Sequence, residues 1–91
     1  MSEYRLSLFV TGSTPRSIKA ITNLRQICEE HLSGNYELEV IDLYQHPEQA
    51  KTNNLVAAPT LIKLLPEPVR RVIGDMSDEG QVLFGLDIQE R

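Results

Sequence analysis

Hydrophobic and polar residues alternate over residues 4–10, YRLSLFV, where Leu6, Leu8 and Val10 share one face and Phe9 lies on the other. A period of two over this length predicts a strand buried on at least one side. The next stretch, Thr11-Gly12-Ser13-Thr14-Pro15, predicts a turn into a helix. Thr14 can cap the unpaired amides of the first helical turn, and Pro15 suits its first position because the N–H it lacks would have no partner there. Ile18, Ile21, Leu24, Ile27, Cys28 and Leu32 then recur at spacings of three and four, opposite Lys19, Arg25, Glu29 and Glu30. That periodicity predicts an amphipathic helix, ended by Gly34. Residues 36–43, YELEVIDL, return to a strand pattern. Strand, helix and strand of this length predict a right-handed βαβ unit with parallel strands.

The second half gives mixed signals. His46-Pro47-Glu48-Gln49-Ala50 reads as the start of a short helix, which Thr52-Asn53-Asn54 ends. Residues 61–65, LIKLL, suit a buried strand or one face of a short helix, and Pro66 and Pro68 close the segment. Residues 69–73, VRRVI, read as a strand, Gly74-Asp75 as a turn, and Ser77 or Asp78 as the cap of a last helix. That helix would contain Gly80 and Gly85, each costing about 0.5–1 kcal/mol relative to alanine. Val82-Leu83-Phe84 would serve a strand almost as well.

A chain of 91 residues makes one domain, here residues 1–91, and its core is thin enough that self-association would help it. Hydrophobic residues at 41% and charged ones at 24% are ordinary for a globular domain, so no long disordered stretch is expected. The net charge of -4, with Arg70-Arg71 as the only basic doublet, argues against non-specific binding to nucleic acid or anionic membranes. No run of apolar residues reaches a membrane-spanning length, and the first residues enter a strand pattern instead of a signal peptide. A single cysteine, Cys28, forms no internal disulfide, so the chain reads most simply as cytoplasmic.

Candidate chemistry is sparse. Turns between a first strand and the next helix often carry the chemistry of α/β folds, and a redox enzyme would place two cysteines there. Thr11 to Pro15 hold no sulfur, and no base lies nearby in sequence to make a nucleophile of Ser13 or Thr14. Cys28 and His31, three apart, would make half a metal site, but Cys28 falls on the apolar stripe and reads as packed core. His46 reads as a solvated loop residue. Glu37 and Glu39 share one face of their strand, most simply a solvated one, and Arg70 and Arg71 point to opposite sides of theirs. No glycine pattern fits a phosphate or dinucleotide loop. The residues thus point to a protein that performs no catalysis, uses no cofactor or metal, and works by binding other proteins.

Ala58-Pro59-Thr60-Leu61 after a βαβ unit resembles the thioredoxin-like fold, which carries a cis-proline there; Pro59 is the candidate. More specifically, the chain is similar to the KaiB family of circadian clock proteins. The similarity runs through residues 10–15 (VTGSTP), Val40-Ile41-Asp42, Pro47, Ala50, Ala58-Pro59-Thr60-Leu61, residues 65–77 (LPEPVRRVIGDMS), Val82-Leu83 and Gly85-Leu86-Asp87. The run from Leu65 to Asp78 is highly specific to it.

This resemblance implies an α/β protein with two folds. The expected resting form is a tetramer ordered βαββααβ, favoured at high concentration; the rarer form is a thioredoxin-like monomer ordered βαβαββα. Residues 1–45 would be common to both and residues 46–91 would switch. It further implies that the rare form binds the ATPase KaiC, competes with the sensor domain of the kinase SasA and sequesters KaiA where present, so promoting KaiC dephosphorylation. Tyr4, Gly85 and Asp87 match positions that govern the balance between folds, and Ala50, Asn53, Asn54 and Arg71 fall on the expected partner surface. Asn54 stands where clock members commonly carry lysine, and Arg91 is reached without their acidic tail, which leaves room for a related module in stress signalling. A free-standing equivalent of the SasA sensor domain, and a thiol or peroxide enzyme using Cys28, are the other readings.

Overall fold

The structure, a computed structural model, describes residues 3–88. Its elements are β1 (Tyr4–Val10), α1 (Pro15–Leu32), β2 (Tyr36–Asp42), α2 (Glu48–Thr52), β3 (Thr60–Leu65), β4 (Arg70–Ile73) and α3 (Glu79–Gly85). The order is therefore βαβαββα, the thioredoxin-like one of the two arrangements. The four strands form one sheet, β2-β1-β3-β4. β1 runs parallel to β2 in unbroken register from Tyr4 opposite Tyr36 to Val10 opposite Asp42. β3 is antiparallel to both β1 and β4, and its register with β1 shifts between Arg5 and Leu6.

The period of two sorts the strands onto two faces. Leu6, Leu8, Val10, Leu61 and Val72 are buried against Ala20, Leu24, Ile27, Cys28 and Leu32 of α1 and Val82, Leu83 and Leu86 around α3. Ser7, Phe9 and Ile62 are buried on the other face, whose cover is the short helix α2 and its flanking loops. β1 is thus buried on both sides. One sequence expectation fails here: Ile18, assigned to the apolar stripe of α1, is 52% exposed, while Ser17 and Ala20 are buried in its place. The stripe turns with the 3.6-residue period, and a small residue at 17 lets the helix start lie close to β1.

The start and end expected for α1 both hold. Thr14 accepts from the Ser17 amide, Pro15 begins the helix, and the chain leaves through Ser33 and Gly34, both at positive φ. In the second half, LIKLL resolves as a strand because β1 and β4 both pair with it. The last segment resolves as a helix capped by Asp78, whose carboxylate accepts from the Gln81 amide at 3.1 Å. Gly85 serves packing there: a Cβ on it would run into Val72 of β4. Val69 lies outside β4 and is exposed.

Candidate functional site

The turn after β1 ties the start of α1 to β1 and β2. The Gly12 amide donates to Asp42 Oδ1 at 2.9 Å, the Thr11 amide to Ser17 Oγ at 3.0 Å, and Thr14 Oγ1 to Ser17 Oγ at 2.8 Å. The Thr14 and Ser17 hydroxyls hold the helix start. Of the two histidines, His31 lies beside Glu30 and Glu79 and His46 beside Glu48. The Ala58–Pro59 peptide bond is cis, as are Leu65–Pro66 and Glu67–Pro68. Cys28 is completely buried, and burial pushes its thiol up to about 12, far from thiolate formation at neutral pH. His31 and Cys28, three apart in sequence, do not come together as ligands: the thiol faces the core, and His31 meets glutamates instead.

Tyr4 begins β1 near enough to Asp87 to feel its charge, whereas Gly85 packs on Val72, in the strand row of Leu61 and Leu8. Asp87 sits just after α3 in the left-handed region, at φ 57°. Its carboxylate accepts from Lys63 Nζ at 2.6 Å and from Arg70 Nε at 3.1 Å, so one residue joins α3 to β3 and β4 together. Lys63 is 1% exposed, which makes Asp87 the partner that satisfies a buried ammonium. The Lys63 hydrogen bond, with the nearby positive charges, holds the Asp87 carboxyl below its usual range. Tyr4 is half-buried at the start of β1, and its phenol is raised, first by burial and then by the charges of Glu3 and Asp87. Arg70 also lies over the exposed ring of Phe84, 5.4 Å from its centre.

The expected partner residues collect on the opposite face. Arg71, alternating with Arg70 along β4, donates to the carbonyls of Asn53 and Asn54 at the end of α2. Asn53 donates from Nδ2 to the Gln49 carbonyl at 2.9 Å, and Asn54 turns the chain at φ 54°. Ala50 is half-buried one turn earlier on α2. Beside them opens a cleft of about 360 Å³ floored by Phe9 and Ile62 and edged by Glu39, His46, Gln49 and Asn53. Glu37 does not join Glu39 in it as an acid/base pair, because Arg5 holds Glu37 in an exposed ion pair at 3.2 Å.

Lys63 is the buried charged residue that pattern reading passes over. The signal was present, since a lysine inside an apolar strand on the core-facing register needs a buried acceptor. Finding that acceptor requires knowing that α3 returns over β3.

Comparison with known proteins gives a coherent picture. A KaiB domain model matches residues 7–88. The circadian clock oscillator protein KaiB of Prochlorococcus marinus is 49% identical over 85 residues, covering 93% of this chain and 73% of that protein. Its counterpart in Microcystis aeruginosa is 48% identical, covering 93% and 82%. Among solved structures, the N-terminal domain of Synechococcus elongatus SasA superposes with a TM-score of 0.77 at 25% identity, over 100% of this chain and 90% of that one. Mitochondrial thioredoxin 3 of Saccharomyces cerevisiae superposes with a TM-score of 0.74 at 14% identity, over 96% and 79%, a likeness of fold alone.

Proposed function

The chain belongs to the KaiB family, and on that premise we propose that it is a non-enzymatic clock regulator that binds a KaiC-type ATPase in its thioredoxin-like form. The observation that carries this reading is the pairing of that family with a fold shared with the SasA N-terminal domain. Two chains with the same architecture can compete for one docking site. Binding then displaces the SasA-type kinase, captures KaiA where that protein exists, and promotes KaiC dephosphorylation. The contact surface includes Ala50, Asn53, Asn54 and Arg71. The turn from Thr11 to Pro15, tied by Ser17 and without a cysteine, supports binding over thiol chemistry, as does the buried Cys28.

The same proposal includes a resting tetramer ordered βαββααβ, from which residues 46–91 refold while residues 1–45 keep their structure, and a cytoplasmic location. Tyr4, Gly85 and Asp87 set the balance; Gly85 lets α3 pack on Val72, Asp87 ties its end to Lys63 and Arg70, and Tyr4 begins β1 within reach of the Asp87 charge. Two packings within a few kcal/mol of each other require a segment that suits both. The test is to incubate the chain with the KaiC homologue of its own genome and ATP, with and without the SasA N-terminal domain, and to follow co-elution over hours. A complex that forms slowly and is reduced by SasA is expected; no complex at any time or phosphorylation state would sink the proposal. A second reading, a sensor-like module that keeps one fold, draws on the same likeness to SasA. It predicts a monomer on a sizing column at every concentration.

A further inference from the structure

We propose that Glu30, His31 and Glu79 form a binding site for a first-row divalent metal of the zinc class, which clips the end of α1 to the start of α3. One ligand atom from each residue lies within 4.8 Å of the other two. His31 Nε2 stands 3.9 Å from Glu30 Oε2 and 4.0 Å from Glu79 Oε2. Two ligands bound to one zinc at about 2.0–2.2 Å can lie no more than about 4.4 Å apart, and a tetrahedral angle brings them to about 3.4 Å. Each glutamate oxygen needs to close on His31 Nε2 by about half an ångström, and the two carboxylates already lie within 4.8 Å of each other, so side-chain rotations are enough.

The donor set selects the ion. One imidazole nitrogen and two carboxylates suit zinc and its first-row neighbours, whereas magnesium and calcium prefer all-oxygen sets. Two carboxylates balance a divalent charge, and among the described residues no lysine or arginine ion-pairs with Glu30 or Glu79. Gln26 Nε2 donates to Glu30 Oε1 at 3.3 Å, which leaves Oε2 turned toward His31 and supports it from outside the ligand set. Water completes the coordination, since the site is open.

The placement gives the site a consequence. Glu30 and His31 belong to α1, and Glu79 to the first turn of α3. The same seam carries Asn23 of α1, whose Nδ2 donates to the Asp75 carbonyl at 3.0 Å. An ion held across it stabilises the arrangement in which α3 lies beside α1, by the usual mass action of a ligand that binds one state. The site itself stands apart from the clock reading; only its effect on the balance between folds rests on that reading.

The experiment is calorimetric titration of the tag-free full chain with ZnCl2 near neutral pH, repeated with MgCl2 and on four variants whose folding is checked by circular dichroism. Saturable binding of one zinc per chain and no magnesium response are expected. His31→Gln and Glu79→Gln should each weaken binding by about tenfold or more, while Cys28→Ala and His46→Gln leave it unchanged. Zinc should raise the melting temperature of the parent chain but not of Glu79→Gln. Absence of saturable zinc binding, or binding that survives His31→Gln, overturns the site. Binding unchanged in Glu79→Gln confines the ion to α1 and overturns the clip. No clock partner is present, so either result leaves the KaiC proposal to its own test.

Discussion

The two halves of this molecule are held together in different ways. From Tyr4 to Asp42, an 18-residue helix packs on two strands of seven residues each in unbroken parallel register. The second half has helices of five and seven residues and a closing strand of four. α2 has neither a side-chain cap nor a buried residue. Asn54, Met76 and Asp87 all adopt positive φ without being glycine, and Met76 does so while buried. Most of the exposed large apolar residues, Val56, Leu64, Leu65, Val69, Ile73 and Phe84, belong to this half, against Ile18 and Tyr44 in the first. Local pattern and long contacts agree in the first half. In the second, a few tertiary ties decide the outcome: Asp87 to Lys63 and Arg70, Arg71 to the end of α2, and the Asp78 cap. A region held this way is where a second packing can compete.

Four perturbations break or sharpen the comparison. The largest effect is expected from Leu24→Ala, which empties a fully buried position of α1 and should cost about 2–5 kcal/mol. Urea unfolding followed by circular dichroism should show a single transition at lower urea, because both halves rest on α1. Next comes alkaline pH. The unfolded chain releases the Cys28 proton near pH 9.0, while burial holds it in the folded chain to about 12. The stabilisation is therefore complete below pH 9.0 and lost as pH rises toward 12. Cys28→Ala should flatten the decline of stability over that window, leaving the smaller slope due to the raised Tyr4 and Tyr36 phenols.

Lys63→Met keeps the buried stem and removes the charge that Asp87 accepts. A loss of about 1.5–3 kcal/mol is expected, the order of a hydrogen bond to a charged group. It should appear as faster amide exchange at residues 60–65 and 79–85, with residues 15–32 little changed. Acid should act on the same tie: the Asp87 carboxyl is lowered from 3.8, so its contribution is present above that value and lost as pH falls through the lowered one. The smallest effect, about 1 kcal/mol or less, is expected for Asp78→Ala, which removes the α3 cap. Amide exchange should rise at the start of α3 and nowhere in the first half.

Sequence pattern carried the first half almost completely. The alternation of Leu6, Leu8 and Val10, the Thr14-Pro15 start and the Gly34 end are local signals, and only Ile18 misled, because an apolar residue at the edge of a stripe reads the same whether it is covered or not. LIKLL and VLFG could not be assigned alone. Their state depends on β1 and β4 pairing with β3 and on Val72 receiving Gly85, contacts far apart in the chain. The opposed directions of Arg70 and Arg71 were legible from the period of two, but the partners they reach were not. Asn54 and Asp87 become partners through left-handed turns that residue type alone does not announce, and Asn53 through its place at the end of α2.

If the second half must convert before it binds, association has a step that the partner cannot hasten. The direct measurement is the rate of binding of the labelled chain to a KaiC-type ATPase with ATP, as a function of ATPase concentration, followed by fluorescence anisotropy. The account predicts a rate that levels off at a slow value set by conversion to the thioredoxin-like form. A rate that keeps rising in proportion to ATPase concentration would contradict it, since the binding form would then already dominate.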